Sequence, residues 1–132
     1  MELQYYINRT VDPEEVAILY ADAGLNRPTS DIPRIAAMLR HANFIVSARD
    51  ADKLVGLSRS LTDFRYCCYL SDLAVARSYQ RMGIGKELVS LTRKQLGEEV
   101  MVLLLAAPQA SEYYGPLGFE HLSNAWMIQR SK

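Results

Sequence analysis

Apolar and polar residues alternate along this chain with two different periods. In the first third the spacing is helical: Val16, Leu19, Tyr20 and Ala23 fall three or four apart and share one face. Asp12-Pro13-Glu14-Glu15 supplies the start of that helix, with Asp as the cap, Pro in the first turn and two acids near the positive end of the dipole. Gly24 supplies its stop. A second helix is predicted from Ser30 as cap, with Pro33 in its first turn, Ile35, Met38 and Leu39 on its apolar face and Asn43 at its end. A third follows Gly83, carries Ile84, Leu88, Val89, Leu91 and Leu96, and ends at Gly97. Between and around these helices the pattern suits strands: residues 2–8, 44–49, 54–61 (with Gly56 at an expected bulge), 66–75, 100–107 and 126–129. The run 100–107 (VMVLLLAA) is continuously apolar and predicts a strand buried on both faces beside a parallel neighbour. Residues 108–111 open a short helix through Glu112, Tyr113 and Tyr114 that Gly115 breaks.

The predicted order is β-α-α-β-β-β-α-β-α-β. This is a mixed α/β domain: a mostly antiparallel sheet, one parallel βαβ crossover between residues 66 and 107, and helices on both faces. Neither repeats nor linker-like segments divide residues 1–132, so a single domain is expected. At 132 residues the chain can bury one real core. Its 15 basic and 15 acidic residues balance, which argues against a nucleic-acid partner. The longest apolar run is too short to span a bilayer, and no membrane association is expected. MELQYYINRT has neither the basic nor the apolar region of a signal peptide, so a cytosolic location is expected. Cys67 and Cys68 are adjacent in a strand, point to opposite faces and are poorly placed to bridge. His41 and His121 lie far from both in sequence, so no metal site is expected.

The chemistry concentrates in residues 66–96. A strand ending Asp72-Leu73-Ala74-Val75 runs into a short polar turn, Gln80-Arg81-Met82-Gly83-Ile84-Gly85-Lys86, and then directly into a helix. The first N–H groups of a helix have no intrahelical acceptor and sit at the positive end of the dipole, which suits a phosphate or pyrophosphate. Gly83 and Gly85 would let a ligand approach the main chain; the competing reading is a tight turn that uses both for conformation alone. The turn is not a P-loop, since Gln80 and Glu87 stand where Gly and Ser/Thr belong. Nor is it a dinucleotide fingerprint, since Leu88 replaces the third Gly. The second feature is Tyr113-Tyr114-Gly115-Pro116-Leu117-Gly118-Phe119. It follows the run 100–107, so it should open on the crevice outside the carboxyl ends of the two parallel strands. A tyrosine hydroxyl there could protonate a leaving group of similar pKa, near ~10; equally, both rings could be packing residues with wet tips.

Taken together, these two motifs resemble the GNAT superfamily of acetyl-CoA-dependent N-acetyltransferases. Its central signature, Gln/Arg-x-x-Gly-x-Gly/Ala, stands here as Gln80, Gly83 and Gly85, and its closing pattern as Tyr113-Tyr114 and Gly118-Phe119. The resemblance implies a sheet of about six or seven strands and assigns roles by position. The turn residues Gln80, Arg81, Met82, Gly83, Ile84, Gly85 and Lys86 would hold the CoA pyrophosphate on their amides. The main chain of Leu73, Ala74 and Val75 would pair with pantetheine, and Tyr114 would protonate the departing thiolate. An amine would attack the thioester directly in a ternary complex, with acetyl-CoA as co-substrate and neither cysteine as nucleophile. Two departures stand out: Pro108-Gln109 replaces the Asn that many relatives carry in that turn, and Gly115-Pro116 replaces a charged pair after the tyrosine.

No general base is evident. Strict alternation places Tyr69 and Ser71 on the face of Leu73 and Val75, and Asp72 on the other, where a structural role, capping or pairing with an arginine, suits it better than catalysis. Candidate acceptor-lining residues are Asn26, Arg27, Tyr69 and Ser71, with Asp63 and Trp126 beside them. Neither an acidic cluster for a polycation nor a long insertion for a peptide is evident, so a small primary amine is the expected acceptor. A protein or peptide amine, or acyl-CoA binding without turnover, are the alternatives; a homodimer is compatible with all three.

Overall fold

A computed structural model of the chain describes residues 1–110 and 112–132. The strands are β1 (Leu3–Ile7), β2 (Phe44–Asp50), β3 (Lys53–Thr62), β4 (Cys67–Val75) and β5 (Met101–Leu103). The helices are α1 (Pro13–Ala23), α2 (Ile32–His41) and α3 (Ile84–Leu96). The strands lie in sequence order in one sheet, antiparallel throughout except for the parallel pair β4/β5. α1 and α2 cover one face. α3 covers the other, where Val46, Ala48, Ile84 and Leu88 join the core. Gly56 of β3 lies under α3: a Cβ there would come 2.9 Å from Ile84 Cγ2, so the missing side chain sets how closely helix and sheet approach.

The predicted caps are mostly present. Asp12 accepts from the Glu14 amide at 3.2 Å, and Gly24 closes α1 in the left-handed conformation. α2 is capped by Asp31 rather than Ser30; its carboxylate accepts from the Arg34 amide at 3.1 Å and also suits the positive helix end better than a hydroxyl. Asn43 lies one residue past the cap of α2 and instead brackets Thr62, donating to its carbonyl at 2.6 Å and accepting from its amide at 2.9 Å. The expected bulge near Gly56 is present with Val55 as the extra residue, because Ala48 pairs with Gly56 and Arg49 with Leu54. Cys67 is exposed, Cys68 is buried, and both are free.

The C-terminal part departs from expectation. β5 has three residues instead of the eight in 100–107, and it is not buried on both faces: Met101 is about half exposed, as is Leu105 beyond the strand's end. Residues 126–129 form no strand, and Trp126 is 97% exposed. The sheet therefore has five strands among the described residues, fewer than six or seven. Strand propensity is realised only where a ladder partner exists, and this segment has none. The short helix expected over 108–114 includes Ser111, which lies outside the described residues; a 3-10 turn forms at Pro108–Ala110 and another at Gly115–Leu117.

Asp63 organises the β3–β4 turn. Its Oδ1 accepts from the amides of Arg65, Tyr66 and Cys67 at 2.9, 2.8 and 3.1 Å, and the next residue, Phe64, is left-handed. These donors hold its carboxyl at about 2. A depressed folded pKa stabilises above the ordinary carboxylate value, and that contribution is lost as pH falls through the range from about 4 to about 2. Asp63→Ala should therefore be less stable than the parent at neutral pH, with the difference closing by pH 2. Urea unfolding across pH 2–7 measures it, and parallel curves would refute the turn's role.

Candidate active site

β4 has nine residues, but β5 pairs only with Cys67, Cys68 and Tyr69. Beyond Tyr69 the two strands separate. From there to Val75, β4 keeps β3 on one side (Leu73 opposite Ser58, Ala74 opposite Leu57, Val75 opposite Gly56) and, among the described residues, has no strand on the other. This open edge runs into the turn. A 3-10 turn at Arg77–Tyr79 leads to Gln80, whose side-chain amide donates to the Val75 carbonyl at 3.0 Å and ties the turn to the strand end. Arg81 and Gly83 are left-handed, and Gly83 caps α3 by accepting from the Glu87 amide at 3.0 Å. The amides of Gly83, Ile84, Gly85 and Lys86 have no acceptor among the described residues. Four free donors at the positive end of a 13-residue helix can seat an anion.

The two predicted features meet at Gly85. A Cβ on Gly85 would collide with the Tyr113 hydroxyl, so the absent side chain is what lets this ring lie against the helix start. Tyr113 packs edge-on to Tyr114, with centroids 5.1 Å apart, and Tyr114 packs edge-on to Phe119 at 5.9 Å. The Tyr114 carbonyl accepts from the Leu117 and Phe119 amides, and Gly118 takes the left-handed conformation that turns the chain back. Burial pushes the Tyr114 hydroxyl pKa up, the neighbouring Tyr113 pushes the same way, and the charge of Arg27 opposes both.

A second constellation lies on the α1/α2 side of the sheet. Arg59 pairs with Asp72 and Ser60 with Leu70, so Ser71 is an extra residue in β4. The bulge corrects the expectation from strict alternation: Leu70, not Tyr69, shares the face of Leu73, and Tyr69 lies on the side of Asp72. Asp72 is fully buried and accepts from Arg59 Nε at 2.5 Å, Arg27 Nε at 2.6 Å, the Tyr20 hydroxyl at 2.7 Å and the Ser71 hydroxyl at 3.3 Å. Burial alone would raise its pKa; the Arg59 hydrogen bond and charge, the Tyr20 hydroxyl and Arg27 outweigh burial and hold it low. Of the two structural roles open to it, capping and pairing with an arginine, Asp72 takes the second, and its lone pairs are engaged. Arg27 also donates to the Ser71 carbonyl (Nη2, 2.7 Å) and the Asn26 carbonyl (Nη1, 2.8 Å). Arg59 reaches the Ser71 hydroxyl at 3.1 Å and the Met38 carbonyl at 3.3 Å.

Of the acceptor-lining candidates, Arg27 and Ser71 belong to this constellation and Asn26 contributes its carbonyl. Tyr69 is partly exposed below the strand opening. Asp63 and Trp126 lie elsewhere, one engaged in its own turn and the other bare. Tyr20 and Arg59 escaped sequence reasoning. The available signal was Arg59 itself, a charge inside a strand predicted over residues 54–61. Among the described residues no cluster of His, Cys, Asp or Glu could hold a metal ion, and no helix is long and apolar enough to cross a membrane.

A sheet that opens beside a parallel pair and leads into a helix start with free amides defines a class of fold, in which an unpaired strand edge runs on into a set of backbone donors. Residues 17–127 match the family model described as an acetyltransferase (GNAT) domain, and the chain belongs to the GNAT acetyltransferase family. It is 27% identical over 106 residues to a histone acetyltransferase of Glycine max, a match covering 70% of this chain and 46% of that protein. The chain spans about half the length of the curated relatives it matches first. A GNAT-family acetyltransferase of Streptococcus pneumoniae superposes with a TM-score of 0.78 at 27% identity, covering 98% of both chains. A probable acetyltransferase of Staphylococcus aureus gives 0.81 at 24% identity, covering 96% of this chain and 99% of that one. An aminoglycoside N-acetyltransferase solved with CoA gives 0.74 at 13% identity, covering 99% and 96%, a likeness of fold.

Proposed function

We propose that this acetyltransferase moves the acetyl group of acetyl-CoA to a primary amine of a small molecule, by direct attack in a ternary complex. The observation that carries the reading is continuity: the unpaired edge of β4, including Leu73, Ala74 and Val75, leads directly to the four free amides of residues 83–86. A pantetheine arm can pair with the strand while its pyrophosphate sits on the helix start, with Arg81 and Lys86 available as cations beside it. Gln80 fixes the turn through Val75. Met82 is half exposed on the turn, within reach of the carrier. The thioester is already activated, so holding the amine and thioester carbon together supplies much of the rate. Tyr114 protonates the departing thiolate. With Asp72 fully engaged, the amine's proton leaves through water.

The resemblance to a histone acetyltransferase supports a second reading, in which the acceptor is a protein or peptide amine. A cytosolic location accompanies either reading. The test is calorimetric titration with acetyl-CoA, followed by thiol release over a panel of small amines and basic peptides. Acetyl-CoA should bind, and thiol should appear with the small amines. Gly83→Val should weaken binding roughly tenfold, since a β-branched residue is strained at its left-handed backbone. Binding without thiol release would mark a carrier-binding module, and failure to bind acetyl-CoA would sink the reading.

A further inference from the structure

We infer that Arg27 selects acceptors carrying a carboxylate close to the amine. This deepens the proposed function and rests on it. The charges in the constellation do not cancel: Arg27 and Arg59 contribute two positive charges, Asp72 contributes one negative, and no other ion pair among the described residues joins them. The surplus cation is placed where a ligand can reach it. The Arg59 side chain is only 9% exposed, whereas that of Arg27 is 25% exposed. Arg27 is bound to the Ser71 carbonyl, two residues past Tyr69, the last residue of β4 that pairs with β5. Its charge also reaches the Tyr114 hydroxyl.

The guanidinium is already oriented. Nε, Nη1 and Nη2 each make one hydrogen bond, to Asp72, Asn26 and Ser71, which leaves one N–H on each terminal nitrogen. The donors left over, on a planar cation already held in place, can meet a carboxylate. Ser71 and Leu73 are about 7 Å apart along the strand. An amine placed to attack a thioester held at Leu73 can therefore be joined by a short spacer to a carboxylate at Arg27, as in an amino acid. The carboxylate would neutralise a cation that is otherwise expensive to keep half buried.

The test uses matched acceptors: glycine, lysine and phenylalanine, each against its amide and its decarboxylated amine. The free acids should exceed their amides and amines in kcat/KM by roughly tenfold to a hundredfold, the range of a charge-assisted hydrogen bond. Arg27→Gln should erase the preference and Arg27→Lys should keep part of it, with the KM for acetyl-CoA unchanged. Calorimetric titration of the same acceptors into protein saturated with CoA reads the preference without turnover. It separates this inference from the proposed function, which depends on acetyl-CoA binding and thiol release. Equal use of acids and amides, a preference that survives in folded Arg27→Gln, or no heat from any free acid would each overturn the assignment.

Discussion

Tyr114→Phe should lower turnover by roughly 100- to 10,000-fold, the range supplied by a positioned general acid, while acetyl-CoA affinity stays close to that of the parent. Phenylalanine keeps the edge-on packing with Tyr113 and Phe119, so the local structure should survive and the loss should be chemical. The pH dependence sharpens the expectation. A general acid works in its protonated form, and burial raises the Tyr114 pKa above the ordinary tyrosine value. Turnover should therefore persist through neutral and mildly alkaline pH and fall only at a pH above the ordinary tyrosine range, and the phenylalanine variant should lack that limb. Thiol release at saturating acetyl-CoA, measured from pH 6 to 11, decides the matter. Equal rates for the two proteins across that range would remove Tyr114 from the reaction.

Asp72→Ala should cost roughly 3–5 kcal/mol of folding stability, the effect of taking one partner from a buried ion pair. The substitution strands two guanidinium groups and leaves the buried Tyr20 hydroxyl without its acceptor. For a chain of 132 residues this should appear as a fall of more than about 10 °C in melting temperature. The loss is largely the penalty of unpaired charge. Replacing Arg27, Arg59 and Asp72 together with apolar residues of similar volume should cost far less than the single change, because such exchanges are often near neutral. A melting temperature within two or three degrees of the parent for Asp72→Ala would show that the network contributes little.

How much of this was legible in the sequence follows from which interactions are local. The caps at Asp12 and Gly24, the stop at Gly97 and the turn through Gly83 and Gly85 depend on a few consecutive residues, and each appears where the sequence placed it. Asp31 displaced Ser30 because two adjacent residues could both cap and the carboxylate is the better acceptor at a helix start. What escaped is non-local. The extra residue in β4 is defined by pairing with β3, so the face of Tyr69 could not be read from alternation within one strand. Tyr20 and Arg59 converge on Asp72 from an element 52 positions away and another 13 away. The runs 100–107 and 126–129 have strand composition throughout, but only Met101–Leu103 finds a partner. In the candidate site, the free amides at the start of α3 were legible because a helix start is a local structure. Arg59 as the second partner of Asp72 was not, because pairing between β3 and β4 brings it there.

The bulge at Ser71 separates two requirements that usually conflict. If Ser71 is left out of the count, the rest of β4 alternates without interruption: Cys68, Leu70, Leu73 and Val75 on one side, Tyr69, Asp72 and Ala74 on the other. For the packing of the domain, Ser71 is a spare residue, and a strand one position shorter would place every neighbour on the same side as now. Its carbonyl and hydroxyl, released from the ladder, are what Arg27 and Arg59 hold. Chain length at this one position can therefore vary the reactive edge of the sheet while the apolar core stays in phase, which leaves the site free to change without rebuilding the fold that supports it.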